Sequence, residues 1–288
     1  MIKIMTDMAS DITREQAESL EIEVMPFGII VDDKQIVADI NLNPRDFYEI
    51  IDNCQEAPKT NQLSPADIEA RYRKLGKENT IIHITISAAC SGANNTANIV
   101  ANELNDEGFD ITVIDSTMLS YTIGKAVVDA AQMAKDGKTK QEIIDYVKGV
   151  YKRDTAYFLV DDLTMLKKGG RIKATAMVVS QVLDIKPILT LNDGMVEAIS
   201  KIRGLRKAIS TLVDYIEERM DEPDKNELYI LSANAEDKVE ILKELLEERI
   251  EIKEYKYFDV GPVITSHIGT GVLGVYFKHK KPYTEYNK

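Results

Sequence analysis

Apolar runs of strand length alternate with amphipathic runs of helix length along the chain, the pattern of an α/β architecture with largely parallel strand pairing. The opening MIKIMTD reads as a strand, and Thr13 with Gln16 makes a capping box that opens a helix. Asn43–Pro44 and Ser64–Pro65 each place a capping residue before a proline at the first helical position, so two more helices start there. TIIHITIS (80–87) reads as a buried strand from its β-branched content. A helix over 93–104, the strand DITVIDS, a helix over 121–135 and a helix opened by Thr139 and Glu142 follow. Together these elements form a first unit, residues 1–154.

From Thr155 the pattern restarts with the strand TAYFLV and a short helix ending at Gly169–Gly170. The stretch 174–183 is apolar almost all round and is expected to be a buried helix. IKPILTL and MVEAISKI flank Asn192-Asp193-Gly194, a hairpin signal. Two helix and strand pairs come next, GLRKAISTLVDYIEERM with ELYILSAN and AEDKVEILKELLEERI with EIKEYKYFDV. Pro262 suits a helix start and Gly269 its stop. These make a second unit, residues 155–288, and no Gly- or Pro-rich linker separates the halves.

A net charge of -12 argues against a broad phosphate-backbone footprint, so no nucleic-acid partner is expected. The N-terminus lacks the apolar run of a signal peptide, and no stretch approaches the ~20 apolar residues of a membrane span, which predicts a cytoplasmic protein. Cys54 and Cys90, without C-x-x-C spacing and with only His83, His267 and His279 as imidazoles, give neither a disulfide framework nor a metal site. Two phosphate motifs fail on context. Gly269, Gly271 and Gly274 spell G-x-G-x-x-G, but the residues after Gly274 begin as a strand and end as a tail, leaving no helix to hold a pyrophosphate. The tract GKT at 137–139 joins two helices, and the earlier glycine of a P-loop falls at Gln132.

Four polar tracts remain, each at a strand end or helix start, where an open α/β sheet places its ligand. They are Thr6–Asp11, Thr60–Pro65, Ser87–Asn95 and the stretch around His267. Each also reads as a capped or tight loop. In the third, backbone N–H groups and the Ser91 hydroxyl converge in a way that suits an anion. Lys167–Lys173 and Lys201–Lys207 put eight cations into two tracts without an acid, a local field for an anionic ligand or partner in an otherwise acidic chain.

In this order, TDMASDI, TNQLSP, SAACSGANN, VIDS, LTMLKKGGRI, IKPILTLNDG, KIRGLRKA and GPVITSHIGTGVLG resemble the DegV family of bacterial fatty-acid-binding proteins, over essentially the whole chain. The resemblance implies a two-domain α/β fold: an N-terminal, largely parallel sheet with flanking helices, a C-terminal α/β domain, and a ligand tunnel between them. It implies a lipid carrier without catalysis or cofactor of its own. A long-chain fatty acid is buried in the tunnel and its carboxylate presented to a separate ATP-dependent fatty-acid kinase subunit. The acyl phosphate then passes to an acyl phosphate acyltransferase for phospholipid synthesis, with transient membrane contact. Residue by residue, Thr60 and Ser91 match the hydroxyls that hold the carboxylate, with Asn61 and Gly92 beside them, and His267 matches the histidine of the glycine-rich C-terminal motif. Arg171 and Arg203 match arginines near the tunnel mouth, Arg203 on the side of the kinase. The chain departs from the family pattern at Asn61, where a serine is usual, at Leu63, where a proline is usual, and at Ala93-Asn94, where threonine and tyrosine are usual.

The chemistry of such a ligand divides in two. Burying roughly a dozen methylenes at ~0.8 kcal/mol each gives on the order of 10 kcal/mol before ordering costs, so the tail supplies affinity. Hydroxyl, amide and imidazolium donors offset the desolvation of the carboxylate and fix its orientation. Met177 and Val178, in the all-apolar stretch, are candidates for lining the tail, where plain core packing accounts for them equally well. The competing reading is an esterase or acyltransferase using Ser91 with His267; no G-x-S-x-G elbow occurs and no acid is evidently paired with His267. A binding module for another small anion is a third reading.

Overall fold

The computed structural model describes residues 1–173 and 184–286. The apolar stretch 174–183, with Met177 and Val178, lies outside the described residues.

The N-terminal half holds a parallel sheet in the order β2 (Glu23–Met25), β1 (Ile2–Asp7), β6 (Thr80–Thr85), β7 (Asp110–Asp115). Alternation sends its side chains to two layers. Met5, Ile81 and Ile111 pack under α3 (Pro65–Leu75) and α4 (Ala93–Asp106). Ile4, Ile82, Ile84 and Ile114 face α5 (Tyr121–Lys135) and α6 (Lys140–Arg153). The caps read from the sequence are formed: Thr13 with Gln16 on α1 (Arg14–Leu20), Asn43 on α2 (Pro44–Asp52), Ser64 with Asp67, and Thr139 with Glu142.

A second sheet runs β10 (Met195–Arg203), β9 (Ile185–Asn192), β8 (Ala156–Leu159), β13 (Val272–Tyr276), β11 (Glu227–Ala233), β12 (Glu254–Asp259). Unlike the first sheet this one is mostly antiparallel, β11 and β12 being its parallel pair among the described strands. Between β9 and β10 lie only Asp193 (φ 52°) and Gly194 (φ 77°), and a two-residue left-handed turn joins strands antiparallel. One face of this sheet, with Tyr157, Leu159, Ile230, Leu273 and Val275, packs under α8 (Leu205–Arg219) and α9 (Glu236–Glu247). The other, with Ala156, Leu191, Leu231 and Val272, joins the core of the first sheet.

A three-stranded antiparallel sheet, β4 (Lys34–Ala38), β3 (Phe27–Val31), β5 (Lys59–Asn61), was not foreseen. Its hairpin turns on Asp32 and Asp33 at φ 46° and 64°, without the Asn-Gly signal, and β5 is too short to show a period.

Where these layers meet lies α10 (Pro262–Ile268), packed against α2, β3, β5 and α7 (Thr164–Gly169). Tyr48 of α2 donates to the carbonyl of Val260 (2.7 Å) just before it. The buried Asp11 carboxyl sits so close to Gly261 that a Cβ there would lie 2.2 Å from Asp11 Oδ1. The glycines after α10 end the helix and turn the chain: Gly269 (φ 77°) caps it, and at Gly271 (φ 70°) a Cβ would overlap Asp161, which binds Lys238. No phosphate-binding turn forms there.

Two glycine substitutions test this packing in opposite directions. Gly261→Ala forces a methyl onto Asp11 and is expected to destabilise by about 1–3 kcal/mol. Gly149→Ala, at an open, exposed position of α6, is expected to stabilise by about 0.5–1 kcal/mol. Thermal melts that move the same way for both would contradict the account of α10.

Candidate functional site

Strands β1 and β6 are neighbours, but the chain leaves them in different directions, to the turn Met8–Ser10 and to the loop Ser87–Gly92, which opens a crevice at their C-terminal ends. Asp7 ties the two exits together, accepting from Ala9 N (3.0 Å) and Ile86 N (2.9 Å). Burial raises its pKa to about 6 despite those bonds.

A cavity of about 320 Å³ lies over this crevice, in the lower part of the range for ligand sites. Its polar wall is Thr60, Asn61, Gln62, Ser91, Gly92, Arg171 and His267; its apolar wall includes Phe27, Ile86, Leu119, Leu166, Val263, Ile264 and Ile268. Thr60 Oγ1 lies 2.9 Å from His267 Nε2, joining β5 to α10 across 207 residues of sequence. Ser91 Oγ accepts from Ala93 N (3.2 Å), which leaves its own O–H to donate, and Gln62 Nε2 donates to Thr96 Oγ1 (2.7 Å). Gly92 stands at the N-terminus of α4, where backbone donors and the helix dipole favour negative charge.

The charge in this wall is Arg171. Its Nε donates to the Cys90 carbonyl (3.0 Å) and an Nη to the Gly169 carbonyl, and among the described residues no carboxylate pairs with it. His267 is not the imidazolium expected: burial, and then the neighbouring Arg171 cation, lower its pKa to about 4. Cys90 is a protonated thiol, pushed up to about 11 by burial, and its Sγ lies 3.1 Å from the Gly194 carbonyl of the β9–β10 turn.

A narrower void of about 40 Å³ adjoins the cavity behind Leu119, Ile264 and Ile268, which line both. Its remaining wall is almost wholly apolar: Ala156, Phe158, Leu191, Leu231, Val260, Val272 and Gly274, with Ser120. On the opposite side Thr60, Arg171 and His267 also face an outer vestibule of about 560 Å³ with Glu56, Lys59, Lys168 and Ser266. The polar cluster thus stands between an outer polar space and an inner apolar one.

Thr60, Asn61, Ser91, Gly92, Arg171 and His267, read from separate tracts, line this one cavity. Arg203 lines neither void; it is exposed on β10 in register with Ile185. The basic tracts are partly neutralised, Lys173 by Glu197 and Arg206 by Glu244. Asn94 turns away to donate to Thr85 Oγ1 (2.9 Å), and Leu63 packs in the cluster under α3. The sequence reading missed Phe27, on an unforeseen strand, and the apolar wall. Ile264, His267 and Ile268 share a face by their helical spacing, a signal that was present. Among the described residues no cluster of three His, Cys, Asp or Glu side chains fit for a metal occurs.

The family model described as "Uncharacterised protein, DegV family" matches residues 1–280. A DegV domain-containing protein of Listeria innocua is 31% identical over 276 residues, covering 95% of this chain and 97% of its own. A solved DegV family protein from Thermus thermophilus, described by its fatty acid binding, superposes with a TM-score of 0.86 at 26% identity over 96% of this chain and 99% of that one. A DegV family structure from Ruminococcus gnavus, refined with vaccenic acid, superposes with a TM-score of 0.83 at 25% identity over 96% and 99%.

The depressed pKa of His267 makes a testable statement about acid. An unfolded histidine takes up its proton near 6.5, so between there and about 4 the unfolded chain binds more protons and stability falls as the pH drops. His267→Gln is expected to lose less stability than wild type on acidification from about pH 7 to about pH 5. An NMR titration placing the lipid-free His267 at or above 6.5 would overturn this reading.

Proposed function

The chain belongs to the DegV family, and on that premise we propose that it binds a long-chain fatty acid and presents the carboxylate to a separate ATP-dependent kinase subunit. The observation that carries the lipid reading is the adjacency of an apolar void and a cavity rimmed by Thr60, Ser91, Arg171 and His267, with Leu119, Ile264 and Ile268 lining both. A ligand with an anionic head and a hydrocarbon tail satisfies both spaces at once. The Thr60 and Ser91 hydroxyls and the Asn61 and Gln62 amides supply donors, Arg171 supplies the field, and a neutral His267 ring supplies a donor or an acceptor according to its tautomer. Each charge-assisted bond to the head group contributes about 1.5–3 kcal/mol against desolvation, while the tail contributes ~0.8 kcal/mol per buried methylene.

The kinase reading draws on the vestibule, where Lys59 and Lys168 flank the same Thr60 and His267 from the outside. A phosphoryl donor approaching there meets the head group with the tail still buried. The chain has no P-loop sequence, so the nucleotide belongs on the partner. Arg203, exposed and away from the cavity, suits a contact with that subunit, and the product passes to an acyl phosphate acyltransferase. Among the described residues no helix is long and apolar enough to cross a membrane, so contact with lipid surfaces is peripheral. The esterase reading finds less support: His267 bonds Thr60 rather than Ser91, and the charge acting on the ring is a cation where a triad needs a carboxylate.

Protein purified from a bacterial host is expected to release a long-chain fatty acid into organic extracts, and to bind added palmitate or oleate once stripped. Thr60→Ala combined with Ser91→Ala should weaken that affinity by about tenfold or more. Arg203→Ala should keep its lipid and lose kinase-coupled acyl phosphate formation. An unchanged affinity in the double variant, or lipid loss in Arg203→Ala, would contradict these roles, and an empty extract without binding of added lipid would contradict the carrier reading itself.

A further inference from the structure

Gly274, the last glycine of the G-x-G-x-x-G run, is unlike the two before it. It lies in the middle of β13, between Phe158 of β8 and Leu231 of β11, and is fully enclosed. Its φ is not among the left-handed values that Gly269 and Gly271 adopt, so the backbone does not require glycine. Nor does packing within the sheet. The nearest atoms that a Cβ at Gly274 would meet are Phe158 Cβ at 3.4 Å, Leu231 Cβ at 3.5 Å and the Leu231 carbonyl at 3.7 Å, ordinary contact distances. Glycine in a strand interior weakens the strand, and one reason to keep it is a ligand that passes close to the backbone.

The side chain that is missing at Gly274 points into the inner apolar void, whose wall also holds Phe158, Leu231 and the small residue Ala156. Ala156 and Phe158 alternate onto one face of β8, and Val272 and Gly274 onto the same face of β13. Gly274 and Ala156 are the two smallest residues in the wall of this void. Resting on the fatty-acid reading above, we propose that Gly274 is the floor of the acyl chamber and a specificity-determining residue for chain length. The space left by its absent side chain takes the methyl end of a long chain. A side chain added there displaces terminal carbons, and each buried methylene withdrawn weakens binding roughly fourfold.

The test compares wild type, Gly274→Ala, Gly274→Val and Ala156→Val, each stripped of lipid, in titrations with decanoate, dodecanoate, myristate, palmitate and stearate, beside thermal melts of the lipid-free forms. Gly274→Ala is expected to melt no lower than wild type and to bind stearate roughly fourfold more weakly. Gly274→Val should bind palmitate and stearate more weakly by about tenfold or more, with dodecanoate unchanged, and Ala156→Val should shift the ranking the same way. A folded Gly274→Val that keeps the wild-type ranking overturns the proposal, and so does an equal loss at every length. Should the valine variant fail to fold, Gly274→Ala and Ala156→Val decide between the same outcomes. A wild-type chain that binds none of the acids sinks the fatty-acid reading and this one with it, a result distinct from binding with an unaltered ranking.

Discussion

The cavity depends on where seven residues of α10 are held. A helix of that length has no independent stability in water, so its position is set by what surrounds it. Tyr48 fixes the carbonyl before it, Asp11 packs on the glycine that caps its start, Thr60 meets its histidine, and Gly269 releases the chain into β13. Those partners come from α2, the loop after β1, and β5, all in the N-terminal half. The helix itself belongs to the C-terminal half, and its Ile264 and Ile268 separate the polar cavity from the apolar void. The joint between the halves and the wall of the site are thus one object.

Electrostatics at this joint run against the rest of the chain. With a net charge of -12, most cations near the surface find acids, as Lys173 finds Glu197 and Arg206 finds Glu244. Arg171 instead spends its donors on backbone carbonyls and faces the cavity with its charge uncompensated by a carboxylate among the described residues. Holding a cation partly out of water has a free-energy cost, and the same cation adds to the larger effect of burial in lowering the pKa of His267. An anion arriving between them offsets that cost.

How much of this was legible follows from what each residue type signals on its own. Helix starts were readable because capping side chains act locally: Thr13, Asn43, Ser64 and Thr139 bond within three residues. The Asp193-Gly194 hairpin was readable for the same reason. Beyond that hairpin the pairing direction across the second sheet is a tertiary outcome and left no local mark, and β5, only three residues long, left none either. At the site, Ser91 stood out in a loop with more hydroxyls than a tight turn needs, whereas Thr60 and His267, in tracts that also read as capped loops, were singled out by the family resemblance. Ile264, Ile268 and Leu119 did not stand out, because a side chain lining a void and one filling a core are apolar in the same way. Arg203 drew attention by charge, and charge along a sequence does not reveal which face of a sheet carries it.

That last ambiguity bears on stability as well as recognition. The face of the second sheet that meets the first carries Ala156 and Gly274 where bulkier residues would close the core, and an unfilled space among buried side chains forfeits dispersion contacts and lowers stability. The opposite face of the same sheet, under α8 and α9, shows how the sequence packs when nothing else has to fit: Tyr157, Leu159, Ile230, Leu273 and Val275 meet Leu212, Val213, Ile216 and Leu242. A ligand that supplied the missing hydrocarbon would complete the core and would stabilise the folded chain by an amount growing with the logarithm of its concentration over its dissociation constant. The two faces of one sheet thus differ, one packed continuously against helices and the other lining an apolar void of about 40 Å³.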